Sequence, residues 1–321
     1  MEKQDATRSL RERVGINVLP TDQVSLVAHL VELEEAGVEH AWLSFGPLGA
    51  PDLLTTLAAA VARTSQLKLG TYVVQVSSRH PVLMAQQALS LNSLAPGRLR
   101  LGIGTGSPAH ATHLYGVTMD APLTYLREYI QVLRPLLERG EVHHQGRYFS
   151  VDATLPGATH VPLYISALGV GAFRLAGEVT DGALPYMAPI SYLLNTALPA
   201  LNAGAQKAGR SRPPVVAHVP VAFTEDRATA LRVGRQTFRF MTTLPHYRNM
   251  FFAAGFTEQE VDAVSDRFVE SLLVFGDEGK IRDRLQELLT TTEIDALALG
   301  LVPISDATQE GLHLARFVGR L

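Results

Sequence analysis

Short apolar segments alternate with amphipathic helical segments along almost the whole chain of 321 residues. Eight of the apolar segments have the length and composition of buried strands, and a predicted helix follows each of them. This alternation indicates a parallel sheet covered by helices, and eight strands are the number that closes a barrel. We therefore predict an α/β fold, a (β/α)8 TIM barrel, with an open doubly wound sheet as the competing arrangement. The eight predicted strands are VGINVLP, EHAWLSF, LKLGTYVVQV, RLRLGIGTG, VPLYISALG, GALPYMA, PVVAHVPVAFT and IDALALGLV.

Two stretches depart from this alternation. Residues 141–160, EVHHQGRYFSVDATLPGATH, combine turn residues with alternating aromatic residues and predict a small β excursion. Residues from about 226 to 280 are helical in pattern and follow the seventh strand as an insertion. Neither stretch has the composition of a linker, so we predict that residues 1–321 form a single domain.

Composition excludes several classes of protein. Hydrophobic residues make up 46% of the chain, charged residues 18%, and the net charge is -3, which is typical of a globular protein without a nucleic-acid-binding or polybasic membrane surface. The absence of cysteine excludes thiolate catalysis, iron–sulfur clusters and disulfides. The N-terminal MEKQDATRSLRERVG lacks the apolar core of a signal peptide, and no apolar run has the length of a membrane span. We expect a soluble cytoplasmic protein.

A glycine-rich loop ends the fourth predicted strand, in the sequence GRLRLGIGTGSPAH at residues 97–110. A dinucleotide fingerprint requires G-x-G-x-x-G at the first strand–helix turn, whereas this loop reads G-x-G-x-G and Pro108 separates it from the next helix. In a barrel, Gly104, Gly106 and Ser107 lie at the carboxyl end of a strand, which is the catalytic face. Glycine there allows a ligand to approach the backbone closely. Gly102 lies inside the strand, where it serves only to let the strand turn.

Several of these segments together resemble the bacterial-luciferase-like family of flavin and deazaflavin oxidoreductases. The resemblance is carried by RHPVLMAQQALSLNSLAPGRLRLGIGTGS, by LREYIQVLRPLL and by VPLYISALGVGAFRLAGEVTDGALPYMAP, which occur in the family's order. It covers most of residues 14–320 and is closest to the branch that uses the deazaflavin coenzyme F420. The resemblance implies a luciferase-like (β/α)8 barrel with insertions. It also implies that the cofactor ring lies at the carboxyl ends of the strands.

The resemblance implies which residues bind the cofactor. The third strand often ends in a non-proline cis peptide against the ring, at positions that match Tyr72 to Gln75 here, although an ordinary buried strand end is equally compatible with the residues themselves. The fourth-strand loop lies near the ring, the fifth strand end contacts the ring and ribityl chain, and the next helix N-terminus suits the cofactor phosphate. Residues after the sixth strand line the ring pocket, although Tyr186 is also compatible with core packing. The implied cofactor residues are Tyr72, Val73, Val74, Gln75, Gly104, Thr105, Gly106, Ser107, Ser166, Ala167, Leu168, Gly169, Val170, Gly171, Pro185, Tyr186 and Met187.

This chain departs from the family at the positions that supply protons. Many deazaflavin members carry an acidic residue and a histidine at the end of the second strand, where this chain has Ser44 and Phe45. Some members have a glutamate after the fourth-strand glycines, where this chain has Ser107. The sugar-phosphate dehydrogenase activity of the family is therefore not transferred, and Ser44 and Phe45 become candidate substrate contacts.

Histidine is the natural proton partner for hydride transfer at neutral pH. His110 follows the glycine loop and His218 lies on the seventh strand, so both are candidate catalytic residues, although either is also compatible with a structural role. His143 and His144 do not predict a metal site, because adjacent side chains on an extended segment point to opposite faces and no third ligand is nearby. We expect no metal.

The segment FMTTLPHYRNMFFAAGF at residues 240–256 is unusually aromatic. It is compatible with an apolar lid over the substrate, in which Tyr247, Met250 and Phe251 are the candidate contacts. It is equally compatible with a helix that packs on the barrel or across a dimer interface. As a lid, it would indicate a sizeable apolar substrate rather than a sugar phosphate.

The predicted function is hydride transfer between coenzyme F420 and an activated C=C, C=N or alcohol/carbonyl carbon of a small or medium organic substrate. Two alternatives are an FMN-dependent monooxygenase, which uses reduced flavin and oxygen, and a non-catalytic flavin-binding protein. The resemblance further implies a homodimer and a separate flavin or F420 reductase as the source of reduced cofactor. We expect neither a nucleic-acid nor a membrane partner.

Overall fold

The computed structural model describes residues 9–19, 22–46 and 50–321. Its main sheet is curled, and eight of its parallel strands follow one another around a ring in the order β1-β2-β3-β5-β8-β9-β10-β12. The ring closes between β9 and β10, where Ala183 bridges Val215 and the Ala183 amide donates a 2.9 Å hydrogen bond to the Pro214 carbonyl. The predicted eight-stranded barrel is thereby confirmed. The strands are β1 Val14–Val18, β2 His40–Ser44, β3 Lys68–Tyr72, β4 Val74–Gln75, β5 Leu99–Gly104, β6 Glu141–Gln145, β7 Ser150–Thr154, β8 Leu163–Ser166, β9 Gly182–Leu184, β10 Val216–Phe223, β11 Val274–Gly276 and β12 Ala296–Leu301.

Helices follow the barrel strands and cover them on the outside. Aspartate is a frequent N-cap: the side chains of Asp22, Asp52, Asp226, Asp277 and Asp306 accept hydrogen bonds from backbone N–H groups in the first turn. The helices are α1 Leu10–Arg13, α2 Gln23–Glu35, α3 Leu53–Val61, α4 Pro81–Leu94, α5 Pro108–Tyr115, α6 Pro122–Arg139, α7 Val170–Val179, α8 Ile190–Tyr192, α9 Leu198–Lys207, α10 Arg227–Phe238, α11 Pro245–Ala253, α12 Glu258–Ala263, α13 Asp266–Leu272, α14 Glu278–Thr291 and α15 Ala307–Gly319. Single helical turns of other types occupy Val76–Ser78, Leu193–Ala197 and Met241–Thr243.

The two irregular stretches of the sequence have distinct structures. β6 and β7 form an antiparallel hairpin, as the turn residues predicted. The stretch after β10 contains α10 to α13 and then β11, which pairs with the end of β10 and interrupts the helical pattern expected up to residue 280. A strand of three residues is too short to have a periodicity of its own, which is why the sequence analysis missed it.

Glycines in the barrel interior make room for large rings on neighbouring strands. A Cβ atom on Gly70 would lie 2.3 Å from the Trp42 ring, and one on Gly300 would lie 2.4 Å from Nε2 of His218. Real Cβ atoms do not approach other atoms so closely, so a side chain at either position would displace the ring. Pairing a glycine with a ring therefore fixes where the large side chains lie inside the barrel.

Tyr72 stabilises the seam at which the barrel closes. Its hydroxyl lies 2.8 Å from the Pro185 carbonyl and 2.9 Å from the Val216 carbonyl, one on each side of the β9–β10 junction. Tyr72 itself is the last residue of β3, and its side chain is 4% exposed. The Tyr72 side chain thus crosses the barrel interior and bridges the β9–β10 junction, where an isolated β-bridge joins the strands.

We expect Tyr72→Phe to lower the free energy of unfolding by about 1–2 kcal/mol, because two buried carbonyls lose a shared donor. Urea unfolding of the cofactor-free protein measures this change. Tyr125→Phe is the matched control, since the Tyr125 ring is buried against Tyr148 and Phe149 and its hydroxyl makes no hydrogen bond within the described residues. Equal stability losses in the two variants would show that the Tyr72 hydroxyl does not support the seam.

In the described ranges, no helix combines the length and the apolar character that crossing a bilayer requires.

Candidate active site

The carboxyl ends of the barrel strands form one open end of the barrel, which we call the barrel mouth. Three strand ends predicted to bind a cofactor meet there. A Cβ atom on Gly104 would lie 2.5 Å from Oγ of Ser166 and 2.9 Å from Cγ2 of Val73. The peptide bond between Tyr72 and Val73 is cis, as the resemblance led us to expect. The predicted residues of β3, β5 and β8 are therefore in direct contact.

The loop after β5 packs on the segment that follows the cis bond. Gly106 has a φ of 61°, which favours glycine, and a Cβ atom there would lie 2.6 Å from Nε2 of Gln75. Gln75 is 7% exposed and Val74 is 4% exposed, whereas Thr105 and Ser107 are half-buried. Only glycine allows this loop to approach Gln75 so closely.

The N-terminus of α7 is open. Gly169 is its N-cap, has no side chain to cap the helix, and is exposed with no atom within 4 Å of the position a Cβ would take. Val170 and Gly171 begin the helix, so their N–H groups point out of its first turn. Behind them, Ala167 is buried and the carbonyl of Leu168 accepts a 2.5 Å hydrogen bond from the Tyr192 hydroxyl. An anion is the ligand that such a helix end binds best.

These features fit a planar ring with a phosphate-bearing tail. Glycine at Gly104 and Gly106 allows the strand ends of β4, β5 and β8 to pack closely around the mouth, and the exposed N-terminus of α7 suits the phosphate. The hydroxyl of Ser77, just beyond β4, is buried and lacks a hydrogen-bond partner within the described ranges.

Ser44, a predicted substrate contact, is hydrogen-bonded to a residue that the sequence analysis missed. Its hydroxyl donates to Oδ1 of Asn17 at 2.9 Å, and both side chains are about 5% exposed or less. Asn17 lies near the end of β1, and its amide reaches the Trp42 carbonyl at 3.4 Å. The signal in the sequence was the single amide within the apolar VGINV segment. Phe45, by contrast, is 44% exposed.

The rings of His218 and Tyr186 contact each other at a tilt of 38° at the seam between β9 and β10. Their ring centroids are 4.1 Å apart, and Tyr72 lies 5.9 Å from Tyr186 and 6.3 Å from His218. His218 is 4% exposed, and its Nδ1 atom is buried without a hydrogen-bond partner in the described part of the chain. Pro185 and Met187, which flank Tyr186, are buried, and Met187 adopts a φ of 52°.

Burial lowers the pKa of His218 to about 3, so the imidazole is neutral in the folded protein at neutral pH. In the unfolded chain the ring titrates near its ordinary pKa of about 6.5. Between these values the unfolded state binds a proton that the folded state does not, so stability is lost as pH falls from about 6.5 towards 3.

We therefore expect His218→Asn to reduce the loss of stability between about pH 7.5 and about pH 5 by on the order of 2 kcal/mol. Urea unfolding of both proteins at the two pH values measures it. His110→Asn controls for removing a histidine in general, since His110 is exposed on α5. The same pH dependence in wild type and His218→Asn would mean that His218 titrates alike in the folded and unfolded states.

The aromatic segment forms α11, and its three predicted substrate contacts are buried. Tyr247 is 7% exposed, and burial, followed by the charge of an ionised Tyr186, raises its pKa well above the usual value. Met250 is 2% exposed, and Phe251 is fully buried with its ring centroid 4.7 Å from that of Phe268 on α13. Phe251 therefore packs within the helical insertion, and the Tyr247 ring lies 6.0 Å from it.

The remaining histidine predictions concern residues away from the mouth. His143 is exposed and pairs with Asp152 at 2.9 Å, whereas His144 lies 3.7 Å from the buried carboxylate of Glu128. Within the described ranges, no cluster of three or more metal-ligating residues is present.

A cavity of about 290 Å³ lies between β10, the α13–β11 connection and α14. Of the predicted site residues only His218 lines it, next to Val219, Leu273, Lys280 and Arg284. We place the candidate site at the barrel mouth, because the contacts among Val73, Gly104 and Ser166 occur there.

A (β/α)8 barrel with a glycine-rich mouth, a cis peptide at the end of β3 and an open helix N-terminus after β8 defines a class of cofactor-binding barrels. Residues 16–295 match the family described as luciferase-like monooxygenase. The chain belongs to this family, which confirms the resemblance.

Individual relatives agree with this membership. The chain is 34% identical over 222 residues to an F420-dependent glucose-6-phosphate dehydrogenase of Kineococcus radiotolerans, and the match covers 64% of this chain and 66% of that relative. It is 26% identical over 318 residues to a 5,10-methylenetetrahydromethanopterin reductase of Methanopyrus kandleri, covering 86% and 88%. A structure of an F420-dependent secondary alcohol dehydrogenase in complex with an F420-acetone adduct superimposes with a TM-score of 0.78 at 20% identity, covering 95% of this chain and 97% of that one. At this identity the superposition establishes the fold.

Proposed function

We propose that the protein is a coenzyme F420-dependent oxidoreductase that transfers a hydride between the deazaflavin and a carbon atom of a small or medium organic substrate. The observation that carries the proposal is the convergence of Val73, Gly104 and Ser166 beside the open N-terminus of α7. The relatives named above support it, since two of them depend on F420 by name and the solved structure contains an F420 adduct.

The cofactor would be held by residues of four segments. Tyr72 to Gln75 and the loop from Gly104 to Ser107 would contact the ring, Ser166 to Gly169 would contact the ring and its side chain, and the N–H groups of Val170 and Gly171 would bind the phosphate. Pro185, Tyr186 and Met187 border the same opening. When bound, the deazaflavin supplies a two-electron hydride chemistry that no side chain of this protein provides.

The homodimer and a separate reductase remain parts of this proposal and rest on the family resemblance. The cytoplasmic location and the single-domain organisation are also parts of it and rest on the composition of the sequence.

Titration of the purified protein with F420 and with FMN, each oxidised and reduced, tests the assignment. We expect micromolar or tighter binding of the deazaflavin, followed by its fluorescence, and weaker binding of FMN. A preference for reduced FMN would favour the monooxygenase alternative, and binding of neither would overturn the cofactor assignment. Tight deazaflavin binding without turnover on a broad substrate panel would favour a non-catalytic binding protein.

A further inference from the structure

The Tyr186 hydroxyl near the barrel mouth has no hydrogen-bond partner within the described residues, although the Tyr186 ring contacts Tyr72 and His218. The hydroxyls of Tyr72 and Tyr192, by contrast, donate to backbone carbonyls. Tyr186 is half-buried, and its hydroxyl is not sealed from solvent. This hydroxyl is therefore available to a ligand.

Uncharged side chains pack around Tyr186. Tyr186 packs against the cluster that comprises Trp42, Tyr72, Tyr164, Leu184, Val216 and Ala298. At the end of β2, Ser44 and Asn17 are hydrogen-bonded to each other rather than presenting a charge. A charged group of a substrate would have to lose its hydration here without gaining an ion pair, which is costly.

His218 supports Tyr186 rather than acting on a substrate itself. Its ring packs against that of Tyr186 with the centroids 4.1 Å apart, and its Nε2 side lies against Gly300. Since burial keeps the imidazole neutral, it has no imidazolium proton to donate at neutral pH. We therefore regard His218 as a positioning residue that fixes the ring of Tyr186.

We propose that Tyr186 is the proton-donating catalytic residue and that it binds the carbonyl or hydroxyl oxygen of an uncharged, partly apolar substrate. This inference rests on the proposed function and specifies its substrate class. It assigns to a phenol two residues beyond β9 the role for which the sequence offered only histidines.

The proton balance is simple. The Tyr186 hydroxyl donates a hydrogen bond to the substrate oxygen, and its proton moves to that oxygen as the carbonyl carbon is reduced and the C=O double bond becomes a C–O single bond. The reducing equivalents are the hydride of the reduced deazaflavin, and water returns a proton to the phenolate. Burial raises the pKa of Tyr186 to about 12, so the phenol keeps its proton and remains a donor throughout the neutral range.

A matched pair of probes tests the proposal in the protein loaded with oxidised F420, a state in which ketones bind without being reduced. Acetophenone is the neutral probe and 4-acetylbenzoate its anionic counterpart, and calorimetry gives their Kd values. We expect the Kd of acetophenone to be at least about tenfold lower than that of 4-acetylbenzoate. We also expect the Kd of acetophenone to be at least about fivefold higher in Tyr186→Phe than in wild type.

Three variants complete the test. Tyr125→Phe should leave the acetophenone Kd unchanged, because Tyr125 lies on α6 among Tyr148 and Phe149. His218→Ala should weaken acetophenone binding because Tyr186 loses the ring that packs against it. His218→Phe should bind acetophenone as wild type does, because phenylalanine supplies a ring at the same position. Any one of three results would overturn the proposal. They are equal or tighter binding of 4-acetylbenzoate than of acetophenone, no saturable binding of acetophenone, and no effect of Tyr186→Phe on the acetophenone Kd.

F420 titrations of the same proteins separate this inference from the proposed function. If the wild-type protein does not bind F420, the proposed function is refuted. Unchanged F420 binding together with an acetophenone Kd that is insensitive to Tyr186→Phe would refute only the assignment of the phenol.

Discussion

Gly169→Asp is expected to weaken F420 binding by about tenfold or more, which corresponds to about 1.4 kcal/mol, without destabilising the protein. Gly169 caps α7 in open space, so the new side chain meets no atom of the fold. Aspartate is also a favourable N-cap, and the melting temperature should stay the same or rise slightly. Binding should suffer because the carboxylate repels the cofactor phosphate at the position where helix N–H groups would otherwise bind it.

Gly169→Asn is the matched control for this experiment. Asparagine has the same shape and the same capping ability but no charge, so it should weaken binding much less than aspartate does. The difference between the two variants should shrink at high ionic strength, since salt screens the repulsion. Equal Kd values for the two variants would show that the phosphate does not bind at α7. Fluorescence titration of F420 at two salt concentrations measures all of these quantities.

Gly177→Ala should lower the free energy of unfolding by about 3 kcal/mol, because α7 and α9 cross in close backbone contact. A Cβ atom on Gly177 would lie 2.2 Å from the Leu201 carbonyl oxygen and 2.7 Å from the Ala205 nitrogen. A Cβ atom on Gly204 of α9 would likewise lie 2.1 Å from the Arg174 carbonyl oxygen. Backbone atoms cannot rotate aside as a side chain can, so the two helices would have to separate.

Gly311→Ala is the control for Gly177→Ala, and its expected effect has the opposite sign. Gly311 lies inside α15, and the nearest atom to its Cβ position is Cε1 of His29 at 3.8 Å. Alanine should therefore stabilise the helix by up to about 1 kcal/mol. Urea unfolding of the two variants beside wild type gives both values. If Gly177→Ala leaves the free energy of unfolding unchanged, α7 and α9 can move apart without a loss of stability.

The sequence predicted the eight barrel strands because a strand buried on both faces appears as a continuous apolar run. It also led to the cis peptide, since the family resemblance extends through Tyr72 and Val73. It did not reveal the contact between the rings of Tyr186 and His218, because that contact depends on the register between β9 and β10. The pairing of Asn17 with Ser44 was missed for the same reason: their side chains meet only after β1 and β2 align. The burial of Tyr247 depends on how α11 packs, which no local pattern encodes.

Tyr72 gives the barrel an unusual link between its closure and its ligand. The residue bridges the β9–β10 seam through its hydroxyl and is bonded directly to Val73, which contacts Gly104. Opening the seam therefore moves the backbone on which the ring of a cofactor would lie. The amides of Ala183 and His218 donate hydrogen bonds across the seam. The rate at which these two amide hydrogens exchange with solvent therefore measures how often the seam opens. A bound cofactor should slow their exchange even though both amides bond only to protein carbonyls, and the barrel should then behave as a single cooperative unit with its ligand.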